Sequence, residues 1–278
     1  MLIGAKLIAG TVKGMHSVGM NDVAKIQKAA TLLLVRDVTG TEPDAQAGKA
    51  LQVYMVERPA RGAFPGLHVF TGGKVDAADE ALLETMDWQG PTESEAGALL
   101  NLDPASVPLS YWLAAVRECY EESGVMLGTQ RGAALNADTV AELANTRLEE
   151  FGGLAQRLGI TLCLDQLRYF AHWITPEIAP RRFDTRFFIA RMPLGQTATH
   201  APGETVSGEW IAPVDALQRA EDGRWNLIMP TLTSLRSLLP YSSVDELFAA
   251  VACFEHLPEH TAYLLSEGMQ PVIDPAAR

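Results

Sequence analysis

The chain has 278 residues, 47% of them hydrophobic, which suits one large domain or two small ones around a substantial buried core. A formal net charge of −12 and a pI near 4.9 argue against nonspecific binding to nucleic acid or to acidic membranes, so an anionic substrate would need a bound cation and local arginines. The cysteines at 119, 163 and 253 are widely spaced in apolar segments. None has metal-ligand spacing with the histidines, so the pattern points to a reduced, cytoplasmic protein rather than a disulfide framework or a zinc site.

Residues 1–16 lack a long apolar core and a cleavage site and read as mature chain. No segment approaches about 18 consecutive apolar residues, so no transmembrane helix is expected. Lys28 to Arg36 reads as a buried strand, 37–48 as a turn-rich loop and Leu51 to Glu57 as the returning strand of a hairpin. A Gly/Pro-rich loop over 58–68 carries Arg58 and Arg61 and leads into Thr71-Gly72-Gly73, read as a Gly-Gly turn where backbone can approach a phosphate or metal closely. Residues 77–109 open with a short helix over 78–88, followed by a Gly/Pro/Ser-containing stretch and 93–102, and Ser110 is placed as the N-cap of the next helix.

The stretch Ala114 to Leu127, in and just after that helix, carries the chemistry. Glu118, Glu121 and Glu122 stand at i, i+3 and i+4 and share one face, while Trp112, Val116, Cys119 and Tyr120 fall on the opposite one. Three like charges at that spacing weaken a helix by roughly 0.2–0.5 kcal/mol per pair, and Mg²⁺ or Mn²⁺, which prefer hard oxygen ligands, would reverse the sign. On the residues alone a solvated acidic face is the simpler explanation. Gly124 fits a left-handed helix end.

Beyond this helix, 136–158 reads as a second helical region broken at Gly152-Gly153. Strands are expected over 167–174, 185–192 and 206–211, with a turn over 175–184 carrying Arg181 and Arg182. Helices are expected over 213–220, over 227–239 with Pro230 near its start, and over 243–257 with Val244, Leu247, Phe248, Val251 and Phe254 on one apolar face. Strands and helices mixed in this way give an α/β sandwich with a mixed sheet.

The order Arg117-Glu118-Cys119-Tyr120-Glu121-Glu122-Ser123-Gly124-Val125 resembles the second half of the Nudix box, G-x5-E-x7-R-E-U-x-E-E-x-G-U, in which U is apolar. Gly72-Gly73-Lys74-Val75-Asp76 resembles its first half, with Asp79 at the position of the first Glu and Thr71 where Pro is usual. About 30 residues separate the halves beyond the box's own spacing, an insertion that loop-closure entropy tolerates. Phe64 to Asp79 and Arg181 to Phe188 resemble the Nudix branch of peroxisomal coenzyme A diphosphatases and their bacterial relatives, which also interrupts the box.

The resemblance implies an α/β/α sandwich with a mixed β-sheet and helical insertions. It would form one domain over 1–278, with insertions at about 80–109 and 133–159 and C-terminal helices at about 227–257. It implies metal-dependent hydrolysis of a P–O–P bond in a small nucleoside diphosphate substrate, with coenzyme A or acyl-coenzyme A first. ADP-ribose, dinucleotides or nucleotide sugars, and a non-catalytic ligand-binding domain, are the alternatives. Carried over residue by residue, Glu118, Glu121, Glu122 and the Gly72 carbonyl are the ligands of Mg²⁺ or Mn²⁺, and Arg117 orients the glutamates. Glu204, with Glu209 second, is the candidate general base. Arg58, Arg61, Gly73, Arg181 and Arg182 are candidates for holding phosphates. Trp173, Phe183, Phe187 and Phe188 are candidates for stacking on adenine, against a core role. Neither nucleic acid nor a membrane is an expected partner, and the oligomeric state stays open, a homodimer included.

Overall fold

The structure, a computed structural model, describes residues 24–38, 51–60, 65–144, 148–251 and 259–261. Arg61, Phe64, Cys253 and Phe254 lie outside the described residues. In chain order the strands are β1 (Ile26–Asp37), β2 (Leu51–Glu57), β3 (His68–Val69), β4 (Thr71–Lys74), β5 (Asp87–Gln89), β6 (Gly128–Gln130), β7 (Ala133–Ala134), β8 (Ile160–Cys163), β9 (Arg168–Ile174), β10 (Arg182–Arg191), β11 (Ser207–Ile211) and β12 (Glu259–Thr261). The helices are α1 (Ala77–Thr85), α2 (Glu93–Leu100), α3 (Ser110–Ser123), α4 (Ala137–Ala144), α5 (Leu148–Leu158), α6 (Pro213–Glu221), α7 (Met229–Leu238) and α8 (Val244–Val251).

The main sheet runs β11-β2-β1-β10-β9-β12, with β3 beside β2 and β4 beside β1. β1 is its spine. It pairs in parallel with β10 over Ile26–Val35, and its other edge is shared by β4 at Ala29–Leu32 and β2 at Val35–Asp37, both antiparallel. Its apolar run is buried on both faces, as a near-continuous Val/Leu strand requires. Leu32 and Leu34 join a core with Tyr54, Phe188 and the apolar face of α3. Leu33 and Val35 join a second core with Met55, Ile189, Leu235, Leu238, Val244 and Leu247 on the opposite side. The architecture is therefore the expected α/β/α sandwich.

Four details differ from the sequence reading. A second small sheet, β5-β8-β6-β7, ties the first insertion to the chain around the second, because β5 of the first pairs in parallel with β8, which directly follows the second. Its strands have two to four residues, too few for alternation to register. Gly152 and Gly153 do not break a helix but lie inside α5. A Cβ at Gly152 would overlap the Thr85 hydroxyl, so the glycine lets α5 close onto α1. Ser110 is the first helical residue rather than the cap: its hydroxyl donates to Val107 O, and the Glu93 carboxylate of α2 accepts the Leu109 N–H instead. Arg182 belongs to β10 rather than to the preceding turn.

Candidate active site

The site forms where α3 crosses β4. Trp112, Val116, Cys119 and Tyr120 are buried, and Trp112 packs at 4.7 Å on the Phe188 ring. This seats α3 with Glu118, Glu121 and Glu122 turned toward β4. The helix ends at Gly124 (φ +68°), whose N–H donates to Tyr120 O, as expected for a left-handed cap.

Gly72 and Gly73 are strand residues and not a turn. The need for glycine is space. A Cβ at Gly73 would overlap the Glu118 carboxylate, and one at Gly72 would lie 2.6 Å from Ala30 O. The Gly72 N–H donates to Glu122 Oε2 at 2.9 Å. In an antiparallel ladder a residue's N–H and C=O leave the strand by the same edge, so the Gly72 carbonyl faces the carboxylates too. Thr71 donates its hydroxyl to Leu32 O and holds β4 to β1.

Arg117 is the hub. Its Nε and Nη2 donate to the Asp79 carboxylate at 2.7 and 3.0 Å, and its Nη1 donates to Glu118 and Glu121, each at 2.9 Å. Nη2 also reaches Lys74 O at 2.9 Å. The guanidinium is thus occupied by protein oxygens and orients two glutamates, a bidentate geometry that lysine could not reproduce. Asp79, fully buried, is held in turn by the capping box of α1, in which it accepts the Asp76 N–H. The pattern Asp76-x-x-Asp79 carries that signal in the sequence.

Burial pushes the three glutamates above the ordinary carboxylate range, Glu122 furthest, to about 8. The Gly72 N–H and Arg58, 3.7 Å away, pull Glu122 back, while Glu118 and Glu204 push it up. Burial alone would lower the Arg117 pKa, but Asp79, Glu118 and Glu121 outweigh it and hold the guanidinium charged. Carboxylates therefore outnumber arginines here. The donor set is hard oxygen, which suits Mg²⁺ or Mn²⁺ and not zinc. Among the described residues no three acidic, histidine or cysteine side chains form a closed ligand set. Glu118 and Glu121 are turned onto Arg117 and Glu122 onto Gly72.

Two cavities flank the cluster. The first, about 430 Å³, is bounded by Arg58, Gly73, Lys74 and Glu118 on one side and by Trp173, Phe183 and Phe187 on the other. The second, about 390 Å³, is bounded by Arg117, Glu121 and Glu204 at the cluster, by Leu82 and Phe151 from the insertions and by Leu162 beside them.

Most predicted site residues converge here, and some do not. Glu204 is exposed on the turn after Ala201, beside Glu121. Glu209 instead pairs with Arg219 at 2.7 Å. Arg181 is exposed and Arg182 donates to Thr175 O; neither lines either cavity. Asp184 pairs with Arg186 and His172 rather than with Arg182. His68 is packed, stacked at 4.3 Å on Trp225. Phe188 is core, whereas Phe183, Phe187 and Trp173 line the first cavity. Sequence reasoning missed Lys74 and the wall of the second cavity, which separate elements assemble and which no local pattern announces.

A partly buried arginine clamping a Glu-x-x-Glu-Glu helix against a glycine strand of an α/β/α sandwich defines a Nudix hydrolase site. Residues 100–238, half of the chain, match the family described as NUDT19 Nudix domain, so the chain belongs to that family and is a Nudix pyrophosphohydrolase. It is 26% identical over 268 residues to the acyl-coenzyme A diphosphatase NUDT19 of Homo sapiens, covering 80% of this chain and 70% of that protein. The Gallus gallus protein of the same description is 26% identical over 264 residues, with the same coverage. A Nudix hydrolase structure from Alicyclobacillus acidocaldarius shares the fold with a TM-score of 0.64 at 24% identity, over 82% of this chain and 97% of that one. Among the described residues no helix is long and apolar enough to cross a membrane.

Proposed function

We propose that this chain hydrolyses the P–O–P bond of coenzyme A or an acyl-coenzyme A in the presence of Mg²⁺ or Mn²⁺, giving 3′,5′-ADP and 4′-phosphopantetheine or its acyl form. The carrying observation is that the motif helix gives Glu118 to one cavity and Glu121 to another, with Glu122 next to Glu121 in the chain. A substrate whose scissile bridge joins two unlike halves can then lie across the two cavities. The names of the human and chicken relatives support the choice of coenzyme A.

Glu118, Glu121, Glu122 and the Gly72 carbonyl would hold the metal. When bound, it neutralises charge building on the phosphoryl oxygens and lowers the pKa of the attacking water. Arg117 keeps Glu118 and Glu121 aligned and, being fully engaged, does not itself grip the substrate. Glu204 takes the proton from the water as its oxygen bonds to phosphorus. The P–O bond to the leaving phosphate then breaks, and that phosphate departs with the electron pair. Arg58 and Lys74 stand where phosphate oxygens of the adenosine half can be held, and Phe183, Phe187 and Trp173 offer apolar faces to adenine.

The test is hydrolysis of coenzyme A, dephospho-coenzyme A and ADP-ribose with each metal. A preference for coenzyme A supports the reading, because only it carries the 3′-phosphate. Equal or better turnover of ADP-ribose removes the coenzyme A assignment and keeps the diphosphatase chemistry. Binding of metal without turnover of any of the three removes both.

A further inference from the structure

We infer that the second cavity is the subsite for the apolar end of the substrate, the acyl-pantetheine arm, and that the two insertions exist in this chain to build it. The inference rests on the proposed reaction and deepens it. Three observations carry it.

The first is the lining. Leu82 comes from α1, Phe151 from α5 and Leu162 from β8, and they meet Leu113, Val116 and Met126 of the motif helix and the segment that follows it. α5 lies wholly in the second insertion, β8 follows directly after it, and α1 straddles the start of the first. The volume, about 390 Å³, has room for roughly a dozen groups the size of a water molecule.

The second is charge. Among the described residues the charged and titratable groups lining this cavity are Glu121, Glu204, His200 and Arg117, and Arg117 is saturated by Asp79, Glu118, Glu121 and Lys74 O. A phosphorylated nucleoside entering this side would meet two carboxylates and no available arginine or lysine. The first cavity also has two carboxylates, Asp76 and Glu118, but it sets Arg58 and Lys74 against them and adds aromatic walls. The two halves of the substrate are thereby sorted: phosphate and adenine to the first cavity, the uncharged arm to the second.

The third is adjacency. Arg117 lines both cavities, so a molecule spanning them carries its bridge past the glutamates.

The experiment measures binding of S-acyl-pantetheines from acetyl to dodecanoyl, which carry no phosphate and cannot be hydrolysed at a diphosphate, by calorimetry to the full chain. Affinity should rise roughly two- to fourfold per methylene until the cavity is full. Phe151→Trp should end that rise at a shorter chain and Phe151→Leu at a longer one. Opposite shifts from one position cannot come from poor folding. Phe183→Ala, in the first cavity, should leave the chain-length slope unchanged. A slope unaltered in both Phe151 variants, or altered by Phe183→Ala, overturns the assignment. Coenzyme A hydrolysis by the wild-type chain is measured in parallel. Its absence alongside the predicted chain-length series overturns the reaction and leaves the subsite; its presence with a flat series does the reverse.

Discussion

Two arginines among the described residues, Arg186 buried and Arg117 partly buried, each hold a cluster of ion pairs, and their surroundings differ in a way that separates site from scaffold. Arg186 donates to Asp184, to Leu100 O and to the Tyr169 hydroxyl, while His172 Nε2 lies 2.7 Å from the same Asp184. There the charges balance, and every member ties one element to another, with Leu100 O binding the end of α2 to the sheet. Burial alone would raise the Asp184 pKa, but His172 and Arg186 overcome it and hold it below the usual carboxylate range. Around Arg117 the balance fails. Asp79, Glu118 and Glu121 share one guanidinium, Glu122 is buried beside them, and burial holds the glutamates above that range. A scaffold does not need surplus buried carboxylates, whereas a cation-dependent site does.

Glu122→Gln tests this contrast most directly. It keeps the shape and the hydrogen bond from Gly72 while removing one charge from the surplus. Turnover should fall on the order of a thousandfold, about 4 kcal/mol of charge stabilisation. Above about pH 8, where Glu122 of the metal-free wild type is charged, the metal-free variant should melt no lower than wild type, since a repulsive charge is lost. Steady-state kinetics alongside calorimetric melting checks both; wild-type turnover would remove Glu122 from the metal site.

Asp79→Ala attacks the same cluster from behind. It strips Arg117 of its only fully buried partner and undoes the capping box of α1, so the loss of stability should be about 3–5 kcal/mol. The glutamates lose their aligner, and turnover of the folded fraction should fall roughly 10–100-fold, as for other residues that orient ligands. A smaller change appears on adding metal to the wild-type chain. Stability should rise by about 2.7 kcal/mol when Mn²⁺ or Mg²⁺ stands a hundredfold above its Kd, and Glu122→Gln should lose most of that rise. An equal rise in both proteins would place the metal elsewhere.

The contrast was half legible in the sequence. The three glutamates and Arg117 sit on one helix, so spacing alone put them on one face, and Gly72-Gly73 were recognised by order. What spacing could not supply was the reason for the glycines, which is the approach of a carboxylate from another element rather than a turn. Nor could spacing supply the partner of Asp184. Residues 182, 184 and 186 share a parity on β10, so alternation allowed either arginine, and packing against Tyr169 and His172 selects Arg186. Arg182 goes instead to Thr175 O. The second cavity was invisible because its wall is drawn from α1, α5 and β8, far apart in the chain and joined through strands too short to pattern.

The balanced centre gives the mildest prediction. Because the folded Asp184 pKa lies below its unfolded value near 3.9, its contribution is complete above that pH and is lost as pH falls through the folded value. The stability of the wild-type chain should therefore drop in the acid window below about pH 4, partly through this group. Asp184→Asn should cost about 1–3 kcal/mol at neutral pH, the worth of hydrogen bonds to a charged group, and should flatten that part of the acid limb. It should leave the turnover of folded molecules and the metal-induced rise in melting temperature unchanged, because Asp184 lines neither cavity. Urea titrations at a series of pH values measure the first effect and the diphosphatase assay the second. A variant that kept its stability but lost turnover would join the two arginine centres into one functional unit and break the distinction between them.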